Sequence, residues 1–154
     1  MPEGPEIKYL SEICKRYLIG LNLVNIKSNS KTVVKVPKTS KVLSVDCIGK
    51  LMILKCTDYY FHIHCGLTGW LTFENPKYPR YEMEFHTQDN KKMITMYMDD
   101  SRRFSKLKIL NEKAHTNAIK KLGLDVFDEK FNLEFFKDLI QKDRKSTRLN
   151  SSHV

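Results

Sequence analysis

The sequence predicts an α+β fold that is mainly β: an antiparallel sandwich of eight or nine strands, flanked by an N-terminal helix and C-terminal helices. Three observations lead there. Apolar residues recur at helical spacing only before about residue 20 and after about residue 110. Between these limits the period changes to two. Short polar breaks then cut the middle region into pieces of five to eight residues. A chain of 154 residues can hold one such domain with its own core, and 41% hydrophobic with 29% charged residues is the balance of a folded domain.

The first helix is expected from Pro5, which suits a first helical position because its missing N–H has no partner there. Ile7, Leu10, Cys14, Tyr17 and Leu18 follow at helical spacing, and Gly20 stops the pattern. Strands are expected at 21–27, 32–36, 41–48, 51–56, 59–65, 69–74, 81–87, 92–98 and 104–110, all rich in β-branched and aromatic residues. Tyr60–His64 and Tyr81–Phe85 alternate cleanly, and Gln88-Asp89-Asn90-Lys91 reads as a hairpin turn. Asn111 can cap a helix running to Leu122, with Gly123 as its stop. Asn132 can cap another, carrying Leu133, Phe136, Leu139 and Ile140 on one face. These signals divide the chain into a domain at 1–125 and the start of a second at 126–142. The tail at 143–154 reads like translated sequencing adapter and is set apart from the fold.

Lys plus Arg number 27 against 18 Asp plus Glu, a formal charge of +9. Without the tail, 24 basic and 17 acidic residues leave +7. Such a balance favours an anionic partner, nucleic acid first, although a lysine-rich surface with no such partner gives the same count. No apolar run approaches the roughly 20 residues that span a bilayer, so no membrane is expected as a partner. Glu3 and Glu6 argue against a signal peptide. Cys14, Cys47, Cys56 and Cys65 form no C-x-x-C pair, which points to a reduced, intracellular protein with no zinc site in this stretch. Cys47, Cys56 and Cys65 lie in apolar runs and read as small core residues. His62 and His86 read as structural histidines, since no carboxylate or cysteine completes a metal-ligand spacing around them.

Met1-Pro2 permits removal of the initiator, leaving a secondary amine at Pro2. An α-amino group has a reference pKa of about 7.7–8.0 against about 10.4 for lysine, so a useful fraction is neutral at cellular pH. Such an amine can attack an electrophilic sugar carbon and form an iminium ion, with Glu3 beside it to move protons. Three residues alone carry little weight, because many chains begin Met-Pro by chance.

The longer run Met1-Pro2-Glu3-Gly4-Pro5-Glu6-Ile7 resembles the start of the formamidopyrimidine-DNA glycosylase/endonuclease VIII family, with Gly4 tilting it toward the endonuclease VIII side. Ile48–Leu54 is similar to the family's Gly-Lys segment, His64–Leu71 to its His-Leu-Gly-Met-(Ser/Thr)-Gly segment, and Asp100–Ser105 to its Asp-Pro-Arg-Arg-Phe-Gly segment. Leu122-Gly123-Leu124-Asp125 resembles the close of the family's catalytic N-terminal domain. Cys65 and Leu67 stand where Leu and Met are commoner, and Ser101 and Ser105 where Pro and Gly are usual.

The resemblance implies a bifunctional glycosylase and abasic-site lyase of base excision repair, acting as a monomer on damaged double-stranded DNA. Oxidised pyrimidines are the favoured lesion. Pro2 would be the Schiff-base nucleophile and Glu3 the proton relay at the sugar. Lys50 would contact a phosphate and assist strand cleavage by β- or β,δ-elimination. Leu67, Arg102 and Phe104 would fill the gap left by the extruded base, offsetting a few kcal/mol of unstacking. Arg80 lies near a family DNA contact, in a Tyr-Pro-Arg-Tyr setting that matches weakly.

Each residue also has a plainer reading. Lys50 suits a solvated turn, Leu67 and Phe104 a core, and Arg102 a charged strand edge. The family continues into a helix–two-turns–helix domain and a finger with or without zinc. No cofactor is expected in this stretch, and zinc only in such a C-terminal part. With that half lacking, weak duplex binding and poor turnover are expected. A basic module that binds damaged DNA without catalysis is the rival reading.

Overall fold

The computed structural model describes residues 3–29 and 31–122. Pro2, the Gly123 stop, the helix expected after Asn132, and the tail at 143–154 lie outside the described residues.

Helix α1 (Gly4–Leu18) begins with proline in its first turn and buries Ile7, Leu10, Ser11, Cys14 and Leu18. Gly20 follows at φ +89°, a left-handed conformation in which glycine escapes the Cβ clash. Tyr17, expected on the buried face, is instead 54% exposed, and its ring tilts against Phe73 at 5.1 Å. The small Ser11 lies on that face, its hydroxyl donating to the Lys8 carbonyl at 2.7 Å. A serine hydroxyl satisfied within its own helix costs little to bury, so composition alone did not reveal it.

Eight strands follow: β1 (Asn22–Ser28), β2 (Ser40–Ile48), β3 (Leu51–Cys56), β4 (Tyr60–His64), β5 (Trp70–Thr72), β6 (Pro79–His86), β7 (Met93–Asp99) and β8 (Lys106–Leu110). They pair in the order β5-β7-β6-β1-β2-β3-β4-β8, antiparallel throughout. β1 meets β2 through only two pairs, Asn22 with Lys41 and Leu23 with Ser40. Two four-stranded halves therefore hinge at that point and share one core. Tyr81, Met83, Phe85, Met96 and Met98 enter it from one half, and Val42, Met52, Leu54, Phe61 and Ile63 from the other. Alternation is the cause: in β6 the intervening Glu82, Glu84 and His86 stay partly exposed. All four cysteines are buried and free.

The strand expected at 32–36 is not formed. Val34 and Val36 pack against the core and Val33 is 72% exposed, so the period of two is real. Its cause is one-sided burial without a ladder. β1, which precedes the segment, already has neighbours on both sides, β6 and β2, and Pro37 has no N–H to give. The last strand also begins at Lys106 rather than 104, leaving Phe104 in a loop.

Helix α2 (Glu112–Leu122) is capped as expected, the Asn111 side chain accepting the Ala114 N–H at 2.8 Å. It covers the outer face of the second half-sheet through Ile119, which clusters with Ile48 and Ile53. His115 stacks on Tyr60 at 3.6 Å and shares a 2.8 Å hydrogen bond with the buried His62.

Candidate active site

The hairpin between β2 and β3 turns on Gly49 and Lys50, with Ile48 paired to Leu51 across it. Gly49 takes φ +57°, which a two-residue hairpin turn with glycine first requires. Lys50 is thus the second residue of the turn, directly before the strand that begins at Leu51. Helix α1 begins directly over this turn: a Cβ added to Gly4 would lie 3.9 Å from the Gly49 carbonyl oxygen. That approach brings Glu3, the N-cap residue, to Lys50, with Oε2 3.3 Å from Nζ. Both side chains remain accessible, at 50% and 39%, so the pair adds at most about 1 kcal/mol of stability. Its meaning is positional: a carboxylate and an ammonium converge where the chain begins. The Glu6 carboxylate accepts the Glu3 backbone N–H at 3.2 Å, one half of a capping box that fixes the entry to the helix. Pro2 lies outside the described residues and is located only by its bond to Glu3.

His64, which the sequence offered only as one of three histidines completing no metal-ligand spacing and not as a site residue, belongs to this neighbourhood. It pairs with Leu51 across β3 and β4, and its Nδ1 accepts the Gly66 N–H at 3.0 Å. The ring proton of the neutral form is therefore on Nε2. Burial, then the charges of Lys50 and Lys106, lower its pKa below 6.5. The only sequence signal was its place at the head of the His64–Leu71 segment.

Two loops stand beyond this point. In the first, Gly66 at φ +70° lifts Leu67 into solvent, 51% exposed, and the Gly69 N–H returns to the Cys65 carbonyl at 2.9 Å. In the second, Arg102, Arg103 and Phe104 are all exposed, Phe104 by 48%. Arg103 holds φ +60° although it has a side chain. The loops touch: a Cβ on Gly66 would fall 2.6 Å from the Phe104 carbonyl oxygen, so no side chain fits there without a shift. Leu67, Arg102 and Phe104, expected to act together, are thus brought together at the ends of two adjoining loops.

Arg80 differs. Its side chain is 9% exposed and turned beneath the loops. Nη1 lies 3.6 Å from the Asp100 carboxylate and donates to the Ser105 carbonyl at 2.5 Å, and the guanidinium lies over the Tyr81 ring at 4.9 Å. Its charge is largely spent inside the protein. A cleft of about 440 Å³ opens beside it, and Arg103, Lys106 and Lys108 line the wall. Asp100 itself is buried. Burial opposes its charge, but hydrogen bonds from the side chains of Ser105 and Thr68, and from the backbone of Ser105 and Arg103, outweigh that and hold it below the usual carboxylate range.

Residues 1–107 match the formamidopyrimidine-DNA glycosylase N-terminal domain. Among curated relatives, the formamidopyrimidine-DNA glycosylase of Rickettsia africae is 25% identical over 92% of this chain and 55% of its own length. That of the Wolbachia symbiont of Brugia malayi is 27% identical, over 100% of this chain and 61% of its own. The chain thus spans little more than half the length of these relatives. In fold it is similar to the MutM (Fpg) protein of Thermus thermophilus, with a TM-score of 0.68 and 20% identity over 85% of this chain and 49% of that one. It is also similar to a MutM solved with DNA containing carbocyclic 8-oxo-G, with a TM-score of 0.67 and 17% identity over 92% and 57%. With the ordered sequence islands, the antiparallel sandwich and the adjoining loops in place, the profile match settles the assignment: the chain belongs to the formamidopyrimidine-DNA glycosylase N-terminal domain family.

Proposed function

We propose that the chain carries the catalytic N-terminal domain of a DNA glycosylase with abasic-site lyase activity. The observation that carries this reading is the Glu3–Lys50 pair, 3.3 Å apart, at the helix end to which Pro2 is bonded. The neutral Pro2 amine attacks C1′ of an extruded nucleotide. The C1′–base bond breaks, the base leaves with a proton, and Glu3 relays a proton to the ring oxygen as the sugar opens to an iminium ion. The iminium acidifies the C2′ proton. Its removal expels the 3′ phosphate by β-elimination, with Lys50 placed to contact a neighbouring phosphate and supply a proton. A second elimination would release the 5′ phosphate. Leu67, Arg102 and Phe104 occupy the vacated stack. The DNA binds as a damaged duplex to a monomeric chain, and the Gly4-containing opening favours an oxidised pyrimidine over an oxidised purine.

Borohydride trapping on an abasic-site oligonucleotide tests this. A covalent adduct is expected from the chain with free Pro2, and none from Pro2→Gly or from an N-terminally extended form. Equal adduct from the extended form would refute the role of Pro2. Duplex binding with no adduct from any form would leave the non-catalytic binding module. Parallel excision assays on an oxidised pyrimidine and on 8-oxo-guanine test the lesion preference.

A further inference from the structure

Asp100, buried at the end of β7, is used by none of these chemical steps, yet it touches both exposed loops. Its Oδ1 accepts the Thr68 hydroxyl at 2.5 Å and the Arg103 N–H at 3.0 Å. Its Oδ2 accepts the Ser105 N–H at 2.7 Å and lies 3.6 Å from Arg80 Nη1. Thr68 adjoins Leu67, while Arg103 and Ser105 flank Phe104. One carboxylate therefore anchors the chain beside each exposed apolar tip. A fully desolvated carboxylate is expensive unless paired, and three hydrogen-bond donors and one ion pair, from three segments, offset that cost. Arg103 supplies a second sign of the same design. A residue with a Cβ stays in the left-handed region only when its surroundings over-determine it, and its N–H is held on Asp100.

We propose that Asp100 is a positioning residue that latches the Leu67 loop and the Arg102–Phe104 loop into a single rigid probe. The loops have then lost their independent motion on folding, before they meet a duplex, so insertion does not have to order them. The inference deepens the proposed function and rests on it in one respect, that these loops enter DNA.

Two readouts on the full chain separate the latch from the chemistry. Thr68→Val removes one donor at constant shape, and near-UV circular dichroism verifies that it folds. Without DNA, amide exchange of Arg103 and Ser105 is expected to quicken about tenfold, the scale of one hydrogen bond to a charged acceptor, although Thr68 bonds to neither amide. Asp100→Asn is expected to quicken it further; if that variant does not fold, Thr68→Val decides alone. With DNA, affinity for a duplex bearing a tetrahydrofuran abasic analogue is expected to fall about tenfold. Affinity for the same strand unpaired is expected to stay within about twofold, because no stack has to be opened there. Unchanged exchange in Thr68→Val overturns the latch. Quickened exchange with equal losses on both DNAs, or with no loss on either, overturns its role in duplex probing. Failure of the wild-type chain to form a borohydride adduct would count against the proposed chemistry and leave both of these readouts intact.

Discussion

Gly66→Ala separates two costs that glycines usually conceal together. Gly66 and Gly20 both sit in the left-handed region, at φ +70° and +89°. A Cβ at Gly20 meets nothing within 4 Å, whereas one at Gly66 falls 2.6 Å from the Phe104 carbonyl oxygen and 2.7 Å from its carbon. Gly20→Ala therefore reports conformational strain alone, about 1–2 kcal/mol. Gly66→Ala adds a backbone collision, and relieving an overpacked contact costs about 1–3 kcal/mol more. The expected difference between the two variants is about 2 kcal/mol, measured by urea denaturation at equal m-value. Relief requires the Leu67 and Phe104 loops to part, so Gly66→Ala should also weaken duplex binding while Gly20→Ala does not. Equal destabilisation by the two substitutions would show that the loops do not pack as described.

The His62–His115 pair gives a pH dependence. Burial, then His115 and Lys108, lower the His62 pKa from 6.5 to about 4; burial and Lys55 lower that of His115, with Glu112 acting against them. The unfolded chain takes up protons that the folded chain refuses, so this stability is complete above pH 6.5 and lost as pH falls toward about 4. The loss is on the order of 2 kcal/mol after allowance for screening. Thermal melts should show it, and a His62→Gln variant that keeps the same slope would refute it. Lys50→Met should slow strand nicking by about a hundredfold, the scale of a lost general acid. Denaturation should place its stability within about 1 kcal/mol of wild type, because the Glu3 pair is solvent-facing; a larger loss would make Lys50 structural. Asn111→Ala should cost about 1 kcal/mol through the lost Ala114 contact, and a denaturation midpoint unmoved by it would show that α2 is held by Ile119 and His115 alone.

What the sequence disclosed, and what it hid, follow from the range over which each signal acts. Period-two burial is local, so eight of the nine expected strands, 104–110 with its late start among them, were readable to within two residues at each end. The same signal misread 32–36, because burial on one face produces alternation whether or not a neighbouring strand exists to bond. Whether one exists depends on β1 lying between β6 and β2, a fact of topology. Leu67 was legible as an exposed tip through its flanking glycines, whereas Phe104, placed by its pattern at the start of a strand, was legible as one only through the family likeness. Asp100 was legible only as the first residue of a matched segment. Its function depends on Thr68, 32 positions earlier, reaching the same carboxylate as Arg103 and Ser105. Arg80 shows the same limit from the other side. The family likeness sets it near a DNA contact, and only the buried acid opposite it reveals that its charge is directed inward. Residues that touch a partner leave a mark in the local pattern, through exposure, flanking glycine or charge. Residues that position others are recognisable only when the chain has folded and distant segments converge on them, as Thr68, Arg103 and Ser105 converge on the carboxylate of Asp100.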